Sequence, residues 1–445
     1  MSIKYSLSMG SGAASVFGKG FLDRGHNNFD RNTPAMVYSN TQPENMLCEG
    51  TILWRNTLMG GEETTAVRAK RMKIGINVLY LLPGVVGGTE TYAAGLLHGL
   101  AEIDQQNEYV VFVNRESERW PLPRAANFTR VVCPVRAAGR ASRYFFEQVR
   151  LPRLLAQYRI DVVHSLGYVG PLTTPCPSVV TIHDLNYITL RHIMPGLRRA
   201  ALRFFSVQSA RRANHVITIS DFSKREICRA LKLNPGKMTV VHLGALGNNA
   251  LNSSENWMEL TGRYRIREPY VVAFGGRTLN KNIPRVIRAF ALVKDAFPHS
   301  LVLIGHIPSD VDLTTETEEM RERVTITGYV PEAHVLPLLS HADLFVLPSL
   351  YEGFGLPVLE AQRAAVAVAC STAGSLPEVG GDGAVYFDPT SVEGIADTIG
   401  RCLADAPLRS HLVLKGRENV SRFSWDKTAR ETLSVYHGVV KQKQG

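Results

Sequence analysis

The sequence predicts an α/β protein with two doubly wound parallel sheets that face each other across a central cleft. From Met72 onward, apolar runs of strand length alternate with amphipathic runs of helical period. This alternation is typical of βα units whose parallel strands are covered by helices on both faces. It stops over residues 244–268, where Gly, Asn and Ser recur without a period, and then resumes. Two series separated by such a break predict two similar domains.

The first series begins with a strand-like run at residues 73–82 and a helical run at 89–101. Short unbroken apolar runs predict buried strands, and apolar residues three or four apart predict helices. Further strands are predicted at residues 109–113, 130–135, 160–164, 178–183, 215–219 and 238–243. Further helices are predicted at residues 145–158, 197–213 and 222–231.

The second series follows the same rules. Its strands are predicted at residues 270–274, 301–304, 324–327, 344–347, 366–370 and 384–387. Its helices are predicted at residues 283–296, 332–339, 357–364 and 392–403, and a last helical run covers residues 425–440. The resulting boundaries are a first domain at 72–250, a linker at 251–269 and a second domain at 270–424. In sheets of this kind, ligands bind beyond the carboxyl ends of the strands.

Residues 1–71 differ from the rest of the chain. They are rich in Gly, Ser, Asn and Thr, have few large apolar residues and show no sustained period. Such a segment cannot bury enough apolar surface to offset the entropy of ordering. We expect either a disordered extension or translation that starts at Met72, and the mass of the natural N-terminal peptide decides between them.

The bulk composition narrows the class of protein. Of the 445 residues, 45% are hydrophobic, which is ordinary for a globular protein, and no apolar run approaches the roughly 20 residues of a membrane helix. The six cysteines are widely spaced without a C-x-x-C pair, so they predict reduced core residues in a cytoplasmic protein. The net charge of +10 indicates an anionic partner. Interleaved basic and aromatic residues on a recognisable module are lacking, so we expect no nucleic-acid partner.

The most informative stretch is S-L-Y-E-G-F-G-L-P-V-L-E at residues 349–360. It connects a buried-type strand to a helical run. Its glycines allow the backbone to approach a ligand closely, and Pro357 suits the first turn of a helix. The free N–H groups of a helix start attract anions. The stretch therefore predicts a site for a phosphate or a sugar, with the carboxylates of Glu352 and Glu360 as acceptors for hydroxyl groups.

This stretch resembles the Glu-x7-Glu motif of the retaining glycosyltransferases of family 4, which have the GT-B fold. The resemblance extends from about Met72 to the C-terminus. It implies that Glu352 and the amides after it face the donor sugar and phosphate, and that Glu360 binds the ribose. The loop residues of this donor-binding set are Gly353, Phe354, Gly355 and Leu356. The resemblance also implies that residues 425–445 cross back and complete the first domain.

One departure from the family follows the motif directly. The family's helix usually ends in Cys-Gly-Thr-Pro, whereas this chain reads Ala-Ala-Val-Ala at residues 364–367. The turn therefore lacks its usual Gly and Pro, which raises the question of how the backbone turns there.

The first predicted strand is followed by G-V-V-G-G-T at residues 84–89. Gly87 and Gly88 before a helix with a Thr cap can bring amides close to an anion, although a plain tight turn has the same composition. The pattern is not G-x-G-x-x-G and no acidic residue follows the second strand, which disfavours a dinucleotide-dependent dehydrogenase. By resemblance, this loop lies across the cleft from the donor diphosphate and borders the acceptor.

Two further polar groups follow predicted strands. His183 and Asp184 end the apolar run at 178–182, where a ligand contact is more common than packing, although a histidine can also satisfy a buried carbonyl. By resemblance, His183 lies by the donor sugar and Asp184 supports the site. Ser220 is predicted as a helix N-cap. Glu378 is predicted to cap a helix or to serve the scaffold.

The residues F-G-G-R at 274–277 and N-K-N at 280–282 surround the first turn of the second domain. Arg277 and Lys281 carry fixed positive charge and several donors, as a diphosphate requires, although such residues are often only a solvated edge. They match the diphosphate-binding Arg and Lys of the family. The family's commoner form has Arg directly before the Lys, where this chain has Asn280.

These residues predict a metal-independent reaction. No D-x-D pair stands in a suitable place and no His, Cys and Asp set has metal-ligand spacing, so we expect neither a metal nor a cofactor. The expected donor is a nucleotide-diphospho-sugar, with GDP-mannose as the first candidate, and the expected acceptor is a saccharide or a lipid-linked sugar. Two alternatives stay open: a nucleotide-sugar epimerase or phosphorylase of the same fold, and a non-catalytic binding protein.

Residues 185–219 contain six arginines in the stretch 191–212 and no acidic residue. Leu197, Ala201 and Phe204 recur at helical spacing. A basic helix with an apolar face can lie on an anionic membrane surface, although helices that cover parallel sheets are amphipathic too. We therefore also consider a peripheral location on the inner face of the membrane.

Overall fold

A computed structural model of the chain describes residues 71–186, 196–245, 256–276, 279–307, 320 and 322–444. The predicted N-terminal extension lies outside this range apart from Arg71. The first sheet contains seven parallel strands in the order β3-β2-β1-β4-β5-β6-β7. They are β1 (Lys73–Asn77), β2 (Glu108–Val113), β3 (Phe128–Val132), β4 (Val162–Ser165), β5 (Ser178–Thr181), β6 (His215–Thr218) and β7 (Met238–Val240).

Helices cover this first sheet. They are α1 (Gly88–Ile103), α2 (Arg140–Phe145), α3 (Leu151–Gln157), α4 (Gly196–Arg212) and α5 (Asp221–Leu231). A π-helical turn, Phe146–Arg150, joins α2 to α3, so the single predicted helix at 145–158 is a composite. In the described residues, no helix combines the length and the apolar character that a membrane span requires.

The second sheet contains six parallel strands in the order β10-β9-β8-β11-β12-β13. They are β8 (Tyr270–Phe274), β9 (Ser300–Ile304), β10 (Val324–Ile326), β11 (Leu344–Leu347), β12 (Val368–Ser371) and β13 (Val385–Phe387). The predicted α/β class with two doubly wound parallel sheets is confirmed. Strands such as β11 are buried on both faces, which explains why their sequences read as unbroken apolar runs.

The helices of the second half begin with α6 (Trp257–Tyr264), α7 (Ile283–Val293), α8 (Glu332–Ser340) and α9 (Leu356–Arg363). They continue with α10 (Leu376–Gly380), α11 (Val392–Ala404), α12 (Ala406–Val420) and α13 (Trp425–Gln444). The helix α6 lies inside the predicted linker 251–269. Its buried residues Leu260 and Tyr264 belong to the core around β8 and β11, so this part of the segment is structured rather than a connector.

The last helix, α13, packs along α1 of the first domain. The ring of Trp425 lies where a side chain at Gly95 would be, because a Cβ atom there would overlap the indole ring. Tyr436 is fully buried and its hydroxyl lies 2.7 Å from Nδ1 of His164 in β4. Burial lowers the pKa of His164 to about 3, so this histidine is a neutral, hydrogen-bonded core residue.

The first strand ends five residues before the predicted end. The side chain of Asn77 accepts a hydrogen bond from the N–H of Leu79 at 3.1 Å, which turns the chain out of the sheet. The N–H of Val78 still donates to the Phe112 carbonyl of β2 at 3.1 Å, and the buried Leu79 and Leu81 then extend the apolar sequence pattern beyond the strand.

Candidate active site

The candidate site lies where both sheets reverse their strand order. β1 pairs with β2 and β4, and β8 pairs with β9 and β11, so each sheet has its switch point beside its first strand. Loops that leave the carboxyl ends of strands at such a point diverge and form a crevice. Loops from both switch points line one pocket of about 510 Å³.

Most of the predicted site residues line this pocket. The first domain contributes Gly87, Gly88, His183 and Asp184, and the second contributes Lys281, Glu352, Gly353, Phe354, Gly355, Leu356 and Glu360. Arg277 lies outside the described residues, so its role stays a prediction. The structure thus brings residues from five separate loops and helices into one cleft.

The glycine-rich loop follows β11 and leads into α9, with Pro357 in the first turn of that helix. A Cβ atom at Gly353 would lie 2.7 Å from the Cβ of Asp184, which belongs to the opposite domain. No real Cβ contact is that short, so glycine is what allows the loop to reach across the cleft. The sequence predicted that the glycine-rich backbone can approach a ligand closely. In the structure this backbone lines the pocket and also packs closely against Asp184.

Glu352 and Lys281 form an ion pair inside the pocket. Nζ of Lys281 lies 2.7 Å from Oε1 of Glu352, and the Ser349 hydroxyl donates to the same oxygen at 2.7 Å. Both charged side chains are about one-fifth exposed or less. The pair fixes a cation and a carboxylate next to each other in the pocket that the first turn of α9 also lines.

Asn280 explains how Lys281 is held. The buried side-chain amide of Asn280 donates to the Tyr351 carbonyl at 3.3 Å. The backbone carbonyl of Asn280 accepts from the N–H of Leu350 at 2.8 Å. The turn that carries Lys281 is thus hydrogen-bonded to the loop that carries Glu352. The departure from the family's Arg at this position places an amide where it joins the two loops.

Glu360 faces the cleft from α9, one turn beyond the helix start. Its pKa is raised to about 7, mainly by burial and then by the nearby Glu332, while Lys281 acts in the opposite direction. A carboxyl group with this pKa changes charge close to neutral pH. Its ability to accept a hydrogen bond as an anion therefore depends on pH in the physiological range.

His183 is buried and Asp184 is partly buried, and both follow directly after β5. Nε2 of His183 lies 2.9 Å from the Leu166 carbonyl, so this nitrogen carries the proton and Nδ1 is the free acceptor. Burial lowers the pKa of His183 to about 4, so the ring is neutral at pH 7. The histidine therefore satisfies a buried carbonyl, as the packing alternative stated, and also lines the pocket.

Asp184 is held by residues that the sequence did not single out. The Tyr168 hydroxyl donates to its Oδ1 at 2.9 Å, and the Asn186 amide donates to its Oδ2 at 2.8 Å. Burial nevertheless raises the pKa of Asp184 to about 6. Tyr168 lies in an irregular loop after β4, without a spacing signal, so only the folded chain places it in the site.

A second glycine that the sequence analysis did not use supports Glu352. A Cβ atom at Gly374 would overlap the Glu352 carbonyl oxygen, and the φ angle of Gly374 is 68°. Only glycine combines this backbone conformation with such a close approach. The small residues S-T-A-G-S at 371–375, where β12 ends, are the sequence feature from which a close backbone approach could have been predicted.

The departure at residues 364–367 leaves the local turn intact. Ala365 takes a left-handed conformation with φ of 58°. Its N–H donates to the Gln362 carbonyl, and the N–H of Val366 donates to the Ala361 carbonyl, both at 3.2 Å. This is the hydrogen-bond pattern of a Schellman motif, with alanine in the position that favours glycine. The chain therefore turns without the Gly and Pro, at the cost of some backbone strain at Ala365.

Three residues that the sequence does not connect meet at the edge of the cleft. The side-chain atoms of Asp221, His242 and Glu378 that could coordinate a metal ion lie within 4.8 Å of one another. The two carboxylate oxygens of Glu378 accept from the N–H groups of Asp221 at 2.8 Å and Phe222 at 3.0 Å, and from Nε2 of His242 at 2.9 Å. These donors occupy the carboxylate, so the cluster is a contact between domains, and Glu378 caps a helix as predicted.

Two family models match the chain in the regions of its two domains. The model described as Glycosyltransferase Family 4 matches residues 86–245, and the model described as Glycosyl transferases group 1 matches residues 263–419. Together they cover both sides of the pocket.

Similar proteins agree with these matches. The chain is 28% identical over 375 residues to the O-antigen chain mannosyltransferase B of Escherichia coli, covering 82% of this chain and 95% of that protein. It is 32% identical over 327 residues to the D-inositol 3-phosphate glycosyltransferase of Salinispora tropica, covering 66% of this chain and 67% of that protein.

A solved structure has the same fold. The Anabaena protein Alr3699/HepE, in complex with UDP, superposes with a TM-score of 0.63 at 16% identity, covering 82% of this chain and all of that chain. The chain belongs to the group 1 glycosyltransferases of family 4, and it is a glycosyltransferase with the GT-B fold.

Proposed function

We propose that this glycosyltransferase transfers mannose from GDP-mannose to a saccharide or lipid-linked acceptor, with retention of configuration and without a metal ion. The E. coli relative, named a mannosyltransferase and covered over 95% of its length, supports the choice of sugar. The choice of GDP rests on the resemblance to family members that use GDP-mannose, and the choice of retention rests on the family resemblance of the motif at residues 349–360.

The observation that carries the proposal is the position of Lys281 beside Glu352 at the head of α9. When the bond between the sugar carbon and the diphosphate breaks, negative charge grows on the leaving phosphate. A fixed ammonium group and the free N–H groups of a helix start stabilise that charge without reorganisation. In the proposed reaction, the acceptor oxygen bonds to the sugar carbon on the face that the phosphate leaves, and the departing phosphate oxygen takes the acceptor's proton.

A thermal-shift screen tests the donor first. GDP-mannose should raise the melting temperature more than UDP-glucose or UDP-galactose at equal concentration, because only a ligand of the folded state stabilises it. A transfer assay with GDP-mannose and oligomannoside acceptors then tests the reaction. Epimerised or hydrolysed donor without any transfer would favour the epimerase or phosphorylase alternative, and stabilisation by a different nucleotide sugar would replace the proposed donor.

We also propose that the first domain works on an anionic membrane surface. The first half of α4 exposes Leu197 at 88% and Phe204 at 55%, and the adjacent α2 exposes Phe145 at 62%. The stacked rings of Tyr144 and Phe205, 4.6 Å apart, join the two helices beneath this face. Only the second half of α4 has buried residues, so its exposed stripe is not needed for packing on the sheet.

Arginines flank these exposed apolar residues. Arg198 and Arg203 are exposed, and Arg199 is partly exposed. Each basic residue near an anionic surface contributes about 1 kcal/mol, so three of them would give salt-sensitive attachment. Liposomes with anionic lipids should float the protein at low salt and release it at high salt.

The control for flotation exchanges the same charge elsewhere. Arg198, Arg199 and Arg203 changed together to Glu should abolish flotation, whereas Arg288, Arg401 and Arg417 of the second domain changed to Glu should not. Flotation that persists in the first triple variant, or that disappears equally in both, would remove the membrane proposal.

A further inference from the structure

The first turn of α5 contacts the glycine-rich loop across the cleft. The hydroxyl of Ser220 donates to the carbonyl of Gly353 at 2.7 Å, and the hydroxyl of Ser223 donates to the same carbonyl at 3.1 Å. Both serines are fully buried. One carbonyl of the donor loop therefore receives two hydrogen bonds from the opposite domain.

The two serines differ in what else they do. Ser220 is the N-cap of α5, since its hydroxyl oxygen accepts from the N–H of Ser223 at 3.0 Å. The Ser223 side chain lies inside the first turn and caps nothing. Its hydroxyl has the Gly353 carbonyl as its hydrogen-bond partner among the described residues, so a capping role does not explain why a polar group is buried there.

Further contacts hold the same turn against the second domain. The carboxylate of Glu378 accepts from the first two N–H groups of α5. The Tyr351 hydroxyl donates to Oε2 of Glu226 at 2.9 Å. Tyr351 directly precedes Glu352 in the chain and Gly353 directly follows it. Residues of α5 and its N-cap therefore form hydrogen bonds to both neighbours of this carboxylate residue.

These bonds fix the direction of a peptide group. In a planar trans peptide, the carbonyl and the following N–H point in opposite directions. Holding the Gly353 carbonyl on the two serines therefore fixes the direction of the Phe354 N–H, on the loop that lines the pocket. Because the serines belong to the first domain, this constraint exists only while the two domains are in contact.

We propose that Ser220 and Ser223 are positioning residues that hold the glycine-rich loop in its donor-binding conformation when the domains close. The inference rests on the proposed function of that loop as the donor site. It assigns to α5 the task of coupling domain contact to the order of the loop. An open enzyme would carry the same loop without this constraint.

The central variant is Ser223→Ala, which removes one bond to Gly353 and leaves the N-cap in place. The matched control is Ser209→Ala. Ser209 is also buried in the first domain; its hydroxyl donates to the Gly170 carbonyl at 3.1 Å and accepts from the Gly170 N–H at 3.0 Å, and among the described residues it makes no hydrogen bond to the donor loop. Ser223→Thr retains a hydroxyl and serves as the conservative variant.

Hydrogen–deuterium exchange of the ligand-free protein gives the first readout. The peptide covering residues 351–356 should exchange several-fold faster in Ser223→Ala than in the native protein, and faster still in Ser220→Ala. It should be unchanged in Ser209→Ala. Unchanged exchange of this peptide in Ser223→Ala, or an equal increase in the control, would overturn the proposal.

Steady-state kinetics with GDP-mannose give the second readout. Ser223→Ala should lower kcat about threefold to tenfold, the scale of one hydrogen bond, with little change in KM for the donor. Ser223→Thr should restore most of it. If the native protein does not turn over GDP-mannose at all, the proposed donor is wrong, and the exchange measurement alone decides the role of the serines.

Discussion

The affinity of the enzyme for its nucleotide sugar should depend on the ionisation of Glu360. The family resemblance implies that Glu360 binds the ribose; we expect it to accept hydrogen bonds from the ribose hydroxyls as an anion, and to accept less well as a neutral acid that carries a proton of its own. Its pKa in the free protein is raised to about 7, first by burial and then by Glu332. The binding-competent form therefore exists above pH 7 and is lost as the pH falls through 7.

The size of the effect follows from that pKa. If only the ionised form binds, the apparent dissociation constant is multiplied by one plus the ratio of neutral to ionised enzyme. For a pKa of about 7, this factor changes about tenfold between pH 8 and pH 6, which corresponds to about 1.4 kcal/mol. The esterified diphosphate of a nucleotide sugar keeps its charge over this range, so the ligand does not contribute.

Isothermal titration calorimetry with GDP-mannose at pH 6, 7 and 8 and constant ionic strength measures this dependence. Glu360→Gln should bind more weakly at pH 8 and should show a much flatter pH profile. Asp184, whose pKa is raised to about 6, lines the same pocket and would leave a residual slope at the acidic end. A native profile flat within twofold, or an equal slope in the Gln variant, would refute the reasoning.

Three further perturbations test the site and its scaffold. Glu352→Gln should lower turnover far more than nucleotide affinity, because its carboxylate partners Lys281 near the reacting sugar, so a kcat equal to that of the native enzyme would contradict this role. Lys281→Ala should reduce turnover by roughly two orders of magnitude, and native activity should survive EDTA, whereas activity that only magnesium or manganese restores would rule out the metal-free reaction. Ala365→Gly should raise the free energy of unfolding by about 1 kcal/mol, because glycine relieves the left-handed strain by more than its added unfolded-state entropy offsets. Urea denaturation measures this change, and a destabilised variant would show that the turn is not strained.

The fold was predictable because its strands are buried on both faces. The second-domain prediction at 270–274 matches β8, and the prediction at 344–347 matches β11, since each is an apolar run bounded by polar residues. The helix Trp257–Tyr264 was not predicted because its eight residues, about two turns, are too few to show a helical period of apolar residues among the surrounding polar ones. Tertiary packing of Leu260 and Tyr264 stabilises it instead.

The site was predictable where one short stretch carries the chemistry. The segment from Glu352 to Glu360 combines its carboxylates, glycines and helix start within nine residues, and the structure places all of them on one pocket. The contacts that hold this segment come from far away in the chain. Ser220 and Gly353 are separated by 133 residues, and no local pattern indicates that they meet.

The C-terminal helix also determines the order in which the protein can be completed during synthesis. The buried His164 in β4 has its Nδ1 partner in the hydroxyl of Tyr436, which the ribosome adds 272 residues later. Every strand of the second sheet lies between these two residues and is therefore made earlier. Before α13 is synthesised, all strands of the second sheet are present, whereas the core of the first domain still lacks the buried residues that α13 contributes. In a nascent chain stalled before α13, the second domain should be able to fold while the first domain still lacks the helix that packs along α1.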